Sequence, residues 1–282
     1  MDQSLPETQI TRVIQPRAQQ AQQMDQSLPE WARRSNPVVR RHLGAYWKTL
    51  VPDMRGYARI ILAQIVLLLL AIPFPVFLFA VLMPAVTVSL VMVPVGLLLY
   101  LQILRSVIRL SVGTTVHERA NGTLPLLRAT PRPFIETLMS KAAASVWRSV
   151  EDLNVVLLIA AFASLPALIM LYYGTFMETI PPVIANISVM IGLVAVLARL
   201  ILEPAMVAAL GVLLGAAIGQ RNIAVAVTTA VALGYFAIIN LLRLVAFPWP
   251  LQLIIELVLP VVMPIVIAWL ALRGADYLLT RD

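Results

Sequence analysis

Residues 60–104 read IILAQIVLLLLAIPFPVFLFAVLMPAVTVSLVMVPVGLLLYLQIL, 45 positions without one Asp, Glu, Lys or Arg. As a single helix this run would rise about 67 Å at 1.5 Å per residue. The hydrocarbon core of a bilayer is only about 30 Å thick, so the run is expected to cross a membrane twice. Pro84, Thr87 and Ser89 are its weakest point, which places a tight turn near residues 82–88. Pro73, Pro75 and Pro94 then fall inside the spans, where they are expected to kink the helices while neighbours re-satisfy the freed carbonyls.

The rest of the chain agrees with this class. Of 282 residues, 60% are hydrophobic and 12% charged, against roughly 25% charged in a soluble domain. Mean hydropathy is +0.89. The expected fold is an all-α polytopic membrane bundle. The basic balance (21 Lys+Arg against 14 Asp+Glu) does not point to nucleic acid, because the basic residues flank the apolar runs as membrane orientation requires. There is no Cys, so there is neither a disulfide framework nor thiol chemistry. Met1 to Pro52 is polar and lacks the apolar core of a cleavable signal peptide.

Further spans read Leu153–Tyr173, Ile223–Leu242 and Leu251–Leu272. The 40 residues from Ile180 to Gly219 are ambiguous. They form either one long tilted helix with an interfacial lead-in at Pro181-Pro182, or two passes broken at Glu203-Pro204. Charge separates the two counts. Nine of the Lys+Arg lie in residues 1–59 and seven in 105–152. Six spans put these, Arg221 and the tail (Arg273, Arg281) on one side and leave Arg243 on the other; seven would send the tail across. The positive-inside rule favours six, with a cytoplasmic N-terminus.

The heptapeptide MDQSLPE occurs at 1–7 and again at 24–30. It is too short for a structural repeat and reads as a tandem duplication in a disordered cytoplasmic tail (residues 1–30), with Met24 as an alternative start. From Trp31 to Arg55 the pattern changes. Asn36 can cap a helix that has Pro37 at its first position. Val38, Val39, Leu43, Tyr46, Trp47 and Leu50 recur at helical spacing between Arg40, Arg41, Lys48 and Arg55. Such a basic amphipathic helix lies in the headgroup plane, or else simply anchors the first span.

A polar insert, Thr114–Lys141, separates the second and third apolar runs within a charged region of residues 105–152. Ser111–Arg119 extends the second span out of the membrane, and Asn121-Gly122 breaks it. Thr123 can cap a short helix through Leu127, Thr130-Pro131 breaks the chain again, and Pro133–Trp147 forms a further helix. The short middle helix would lie across the ends of two spans and could move as a rigid lever.

These residues resemble a known family. Glu118, Gly122-Thr123-Leu124, Leu126-Leu127, Ala129-Thr130-Pro131 and Lys141 are similar to the cytoplasmic coupling region of type-2 ATP-binding-cassette (ABC) transporter permeases, which often read E-x-x-x-G-T-L-E-L-L-L-A-T-P before a basic helix and a Gly-Lys. Asn36–Arg41 resembles their opening interfacial helix, and Ala209–Gly215 resembles the end of their fourth span. Pro125 stands where the family has an acidic residue, and Ser140-Lys141 replaces Gly-Lys. The resemblance implies six spans with an interfacial helix at the start and a cytoplasmic coupling helix between spans two and three. It also implies a transmembrane permease subunit, an exporter, with no cofactor of its own. No Gly-x-x-x-x-Gly-Lys-[Ser/Thr] phosphate loop occurs, so ATP hydrolysis would belong to a separate ABC ATPase subunit. That subunit would dock on Glu118, Gly122, Thr123, Leu124, Leu127, Thr130 and Pro131. A homodimer, or a heterodimer with a related permease, would enclose the substrate path within membrane lipid.

Three other groupings stand out. Arg199 and Glu203 lie four apart in an apolar run, and charge at membrane depth is expensive unless paired. They read as a substrate-path or gating pair, or as an internally neutralised structural pair. Gly211, Gly215 and Gly219 form a small-residue ladder that permits close helix approach, either within the chain or at a dimer interface. Arg243 and Glu256 stand where they can pair across the outer rim. Catalysis has little support: His42 and His117 are the only histidines, and no metal-ligand cluster or nucleophile elbow is present. A non-transporting membrane scaffold or anchor subunit is the alternative reading.

Overall fold

In the computed structural model the described residues are 25–44, 54–71, 75–123, 127, 132–169, 181–245 and 247–281. Among them there is no strand. The helices are α1 (Pro37–Leu43), α2 (Met54–Ala71), α3 (Pro75–Ala120), α4 (Phe134–Trp147), α5 (Val150–Ile169), α6 (Pro182–Ile218), α7 (Arg221–Leu244), α8 (Trp249–Leu253) and α9 (Leu259–Arg281). A π-helical turn, Ile254–Val258, joins α8 to α9. Pro260 follows that turn. It has no N–H to give, and a local widening is one way a membrane helix absorbs the loss.

Among the described residues five stretches are long and apolar enough to cross a membrane: Val91–Ala120, Val150–Ile169, Val183–Ile218, Arg221–Arg243 and Trp249–Arg281. Their outer faces carry large exposed apolar side chains, including Leu98 at 68% and Leu241 at 61%. A water-soluble chain rarely presents contiguous apolar patches on this scale. The protein is a multi-pass membrane helix bundle.

The turn expected near residues 82–88 is not formed: α3 runs unbroken through them, α2 ends at Ala71, and residues 72–74 lie outside the described ones. Proline disfavours the helical conformation in the residue before it. The isolated Pro84 is nonetheless carried inside α3, at the cost of one hydrogen bond in a long helix. The ambiguous region holds one helix: α6, Pro182–Ile218, passes through Glu203-Pro204 and measures about 55 Å at 1.5 Å per residue.

α6 is the centre of the bundle, packed against α3, α5, α7 and α9. It runs parallel to α3, with Gly211 against Ser111 and Gly215 against Thr115. On another side of α6, Leu213 lies against Gly274 of α9. α2 binds α5 by polar contacts: Tyr57 donates to Asn154, and Gln64 Nε2 donates to the Ala161 carbonyl at 2.6 Å. This arrangement gathers charge at one end. Among the described residues, every Lys and Arg lies at that basic end except Arg199, inside α6, and Arg243, at the far end of α7.

The amino-terminal region differs from expectation in two ways. Residues 25–30, the second heptapeptide less its Met, are ordered against the chain rather than part of a free tail. The Asp25 carboxylate accepts from the backbone N–H groups of Arg34 and Ser35 at 2.6 and 3.2 Å, and Glu30 pairs with Arg132 at 2.6 Å. The first copy lies outside the described residues. Asn36 caps α1 as expected, accepting from the Val38 N–H at 2.9 Å with Pro37 at the first position. α1 then stops at Leu43, where Gly44 takes φ +56°; Tyr46, Trp47 and Leu50 fall outside the described residues. Val39 and Leu43 are buried against Ala144 and Trp147 of α4, so the apolar side of this short helix rests on protein rather than on lipid.

Candidate functional site

The polar insert begins with the end of α3. The Thr123 N–H donates to the Glu118 carbonyl at 3.1 Å, the Gly122 N–H donates to the Arg119 carbonyl at 3.3 Å, and Gly122 has φ +63°. This is a Schellman ending, in which a left-handed residue closes the helix and satisfies its last carbonyls. Glycine is the residue that adopts such a φ without steric cost. The spacing from Glu118 to Gly122 is therefore that of the motif's own helix stop. Thr123 starts the next turn: the Leu127 N–H donates to its carbonyl at 3.2 Å. Leu124, Thr130 and Pro131, with Pro125, lie outside the described residues.

Glu118 does not face outward. It is 7% exposed, and its Oε2 accepts a hydrogen bond from the ammonium of Lys141, a side chain with no exposure. His42 Nε2, on α1, stands 3.4 Å from Glu118 Oε1. That is close enough for a charge contact when the imidazole is protonated, although no hydrogen bond reaches Oε1 among the described residues. Burial pulls the Lys141 ammonium below the usual lysine range, and the neighbouring carboxylate opposes that pull. Three elements thus converge on one carboxylate: α3 supplies Glu118, α4 supplies Lys141 and α1 supplies His42. Thr137, Ser140 and Ser145 of α4 are also buried.

The glycine ladder packs within the chain. A Cβ on Gly211 would overlap the Ser111 hydroxyl and lie 3.0 Å from Ser111 Cβ; one on Gly215 would lie 3.2 Å from the Val112 carbonyl oxygen and from Thr115 Cβ. Gly219 is different from the other two. Its φ of +68° makes it the left-handed cap of α6, and beside it Arg119 donates to the Ala216 carbonyl at 2.5 Å. A cation at a helix C-terminus is favoured by the exposed carbonyls and the helix dipole.

Arg199 and Glu203 pair as their spacing suggested, with Nη2 to Oε1 at 2.9 Å and Nε to Oε1 at 3.0 Å. Sequence reading missed the third member. Tyr100 of α3 donates to Glu203 Oε2 at 2.7 Å, so both carboxylate oxygens of a residue with 2% exposure are satisfied. Tyr100 is the only hydroxyl in the last turn before the uncharged run ends, which is the one signal the sequence offered. Glu256 accepts from Gln252 at 3.4 Å, one turn earlier in its own segment, rather than pairing with Arg243. Among the described residues no three His, Cys, Asp or Glu side chains are grouped as metal ligands.

No protein-family model matches this chain, and neither a curated protein nor a solved structure matches it.

Proposed function

We propose that this chain is the transmembrane permease subunit of an ABC transporter, an exporter of the plasma membrane with six spans and a cytoplasmic N-terminus. α2 is the first span and the five long apolar stretches are the others. The clustering of Lys and Arg at one end supports a cytoplasmic orientation for that end. A separate ATPase subunit supplies the hydrolysis and docks on the segment from Gly122 to Pro131. A second permease copy, identical or related, completes the substrate path.

One observation carries the reading: the outermost residues of the motif, Glu118 and Lys141, meet in a buried ion pair. Gly122 closes the helix between them. A docking segment needs a firm base, and this pair fixes the base of the segment to α3 and α4. Glu118 is thereby a support for the docking segment rather than part of its surface.

The test is purification of the intact chain in mild detergent from its native cell. An ABC ATPase is expected to co-purify and to be lost in Gly122→Pro, while the chain itself stays monodisperse. A chain that never brings an ATPase with it overturns the proposal. That outcome favours the second reading, a non-transporting membrane scaffold. What speaks for the scaffold is how much of the insert is spent on internal contact: Glu118, Thr137, Ser140 and Lys141 are all buried.

A further inference from the structure

Leu98, Leu101, Arg105 and Arg109 lie on one face of α3, at steps of three and four residues. Leu98 is 68% exposed and Leu101 54%; Arg105 and Arg109 are exposed as well. An open cleft of about 590 Å³ is cut into this face. Its walls include Leu101, Gln102, Arg105, Ser106 and Arg109, with Arg148 opposite, from the turn that precedes α5. Arg105 is the first charged residue after the 45 uncharged ones, so the cleft stands where hydrocarbon gives way to headgroups. Neither Arg105 nor Arg109 forms an ion pair among the described residues.

From this we infer that the cleft binds an anionic glycerophospholipid of the leaflet at the basic end. The guanidinium groups of Arg105 and Arg109 hold its phosphate, and the acyl chains lie along Leu101 and Leu98. Guanidinium groups are well suited to phosphate because they offer paired donors in a fixed plane. Basic pockets between membrane helices on the cytoplasmic side are a known form of headgroup site. A soluble anion would have no use for the apolar track below the arginines, and an acidic protein partner would not reach below the headgroups. The inference needs only that the chain lies in a membrane, so it stands or falls apart from the transport reading.

The test is native mass spectrometry of the full-length protein from micelles doped equally with phosphatidylglycerol and phosphatidylcholine. Wild type is expected to retain phosphatidylglycerol preferentially. Each basic side chain near an anionic surface contributes about fivefold, so Arg105→Gln/Arg109→Gln is expected to cut the preference roughly 30-fold. Arg105→Lys/Arg109→Lys is expected to keep part of it. Arg273→Gln/Arg281→Gln, an equal charge change at exposed sites elsewhere on the basic end, is expected to change it less than threefold. Wild type without a preference for phosphatidylglycerol overturns the proposal with no variant needed. So does an equal fall in the two Gln variants, which would mean generic charge attraction. Displacement of the lipid by 10 mM inorganic phosphate overturns it in favour of a soluble-anion site.

Discussion

Glu118 and Glu203 are both nearly sealed from solvent, at 7% and 2% exposure, yet they are neutralised in different ways. Glu203 takes its cation from its own helix, one turn back, and adds a hydroxyl from α3. Glu118 takes its cation from another helix and stands beside an imidazole from a third. The first arrangement lowers the cost of keeping a charge inside one helix. The second makes the charge a condition for assembling three elements. The same residue type thus serves solvation in one place and architecture in the other. Tyr100 and Glu118 are on the same helix, 18 residues apart, and the seam of Ser111 and Thr115 against Gly211 and Gly215 runs between them.

The comparison can be broken most directly at Lys141. Lys141→Met strands a buried carboxylate and is expected to cost about 3–5 kcal/mol, read as thermal unfolding of the purified protein in mild detergent. Glu118→Leu/Lys141→Met is expected to recover most of that loss; a double variant as unstable as the single would show that the pair does not tie α3 to α4. Next in size is Glu203→Leu, which leaves the Arg199 guanidinium without its carboxylate and is expected to cost about 2–3 kcal/mol. Arg199→Leu/Glu203→Leu should restore near-native stability, and α1 should stay docked throughout. Protection of Val39 and Leu43 from backbone hydrogen exchange would report that docking.

The seam gives a smaller effect. Gly211→Val is expected to cost about 1–3 kcal/mol through overpacking against Ser111. Ser111→Ala in the same chain should return part of it. At Gly234 an added Cβ would meet nothing within 4 Å, so Gly234→Ala should be neutral or stabilising by up to about 1 kcal/mol. The smallest loss is expected for Gly122→Ala, about 1 kcal/mol for a left-handed φ imposed on a side chain. It sharpens the comparison because it should leave the Glu118–Lys141 pair intact while loosening the segment beyond it.

The class of fold was legible because hydropathy is local: each apolar run announces its own solvent. The helix ends were legible for the same reason, since Asn36-Pro37 at a start and Asn121-Gly122 at a stop act within a few residues. The turn expected near residues 82–88 was misplaced because a lone proline costs a long helix only one hydrogen bond, which sequence alone does not weigh against the packing around it. The Arg199–Glu203 pair was legible at i, i+4. Its Tyr100 partner, 103 residues away, was not. Glu118 was read as a docking residue, but which face of α3 turns inward depends on α4, and a polar residue just beyond a span reads alike from either side. The ladder's partner left a faint trace. Ser111, Thr115 and Arg119 repeat at steps of four, in register with Gly211, Gly215 and Gly219.

The unbroken course of α3 has a mechanical consequence. Between Tyr100 and Glu118 there is no proline, and 18 residues of α-helix make a beam about 27 Å long. A beam has no place to absorb rotation. Turning its basic end by about 5° carries its buried end sideways by roughly 2 Å, most of the length of the hydrogen bond from Tyr100 to Glu203. The force needed to move the polar insert is therefore set in part by a buried contact inside the apolar part of α3.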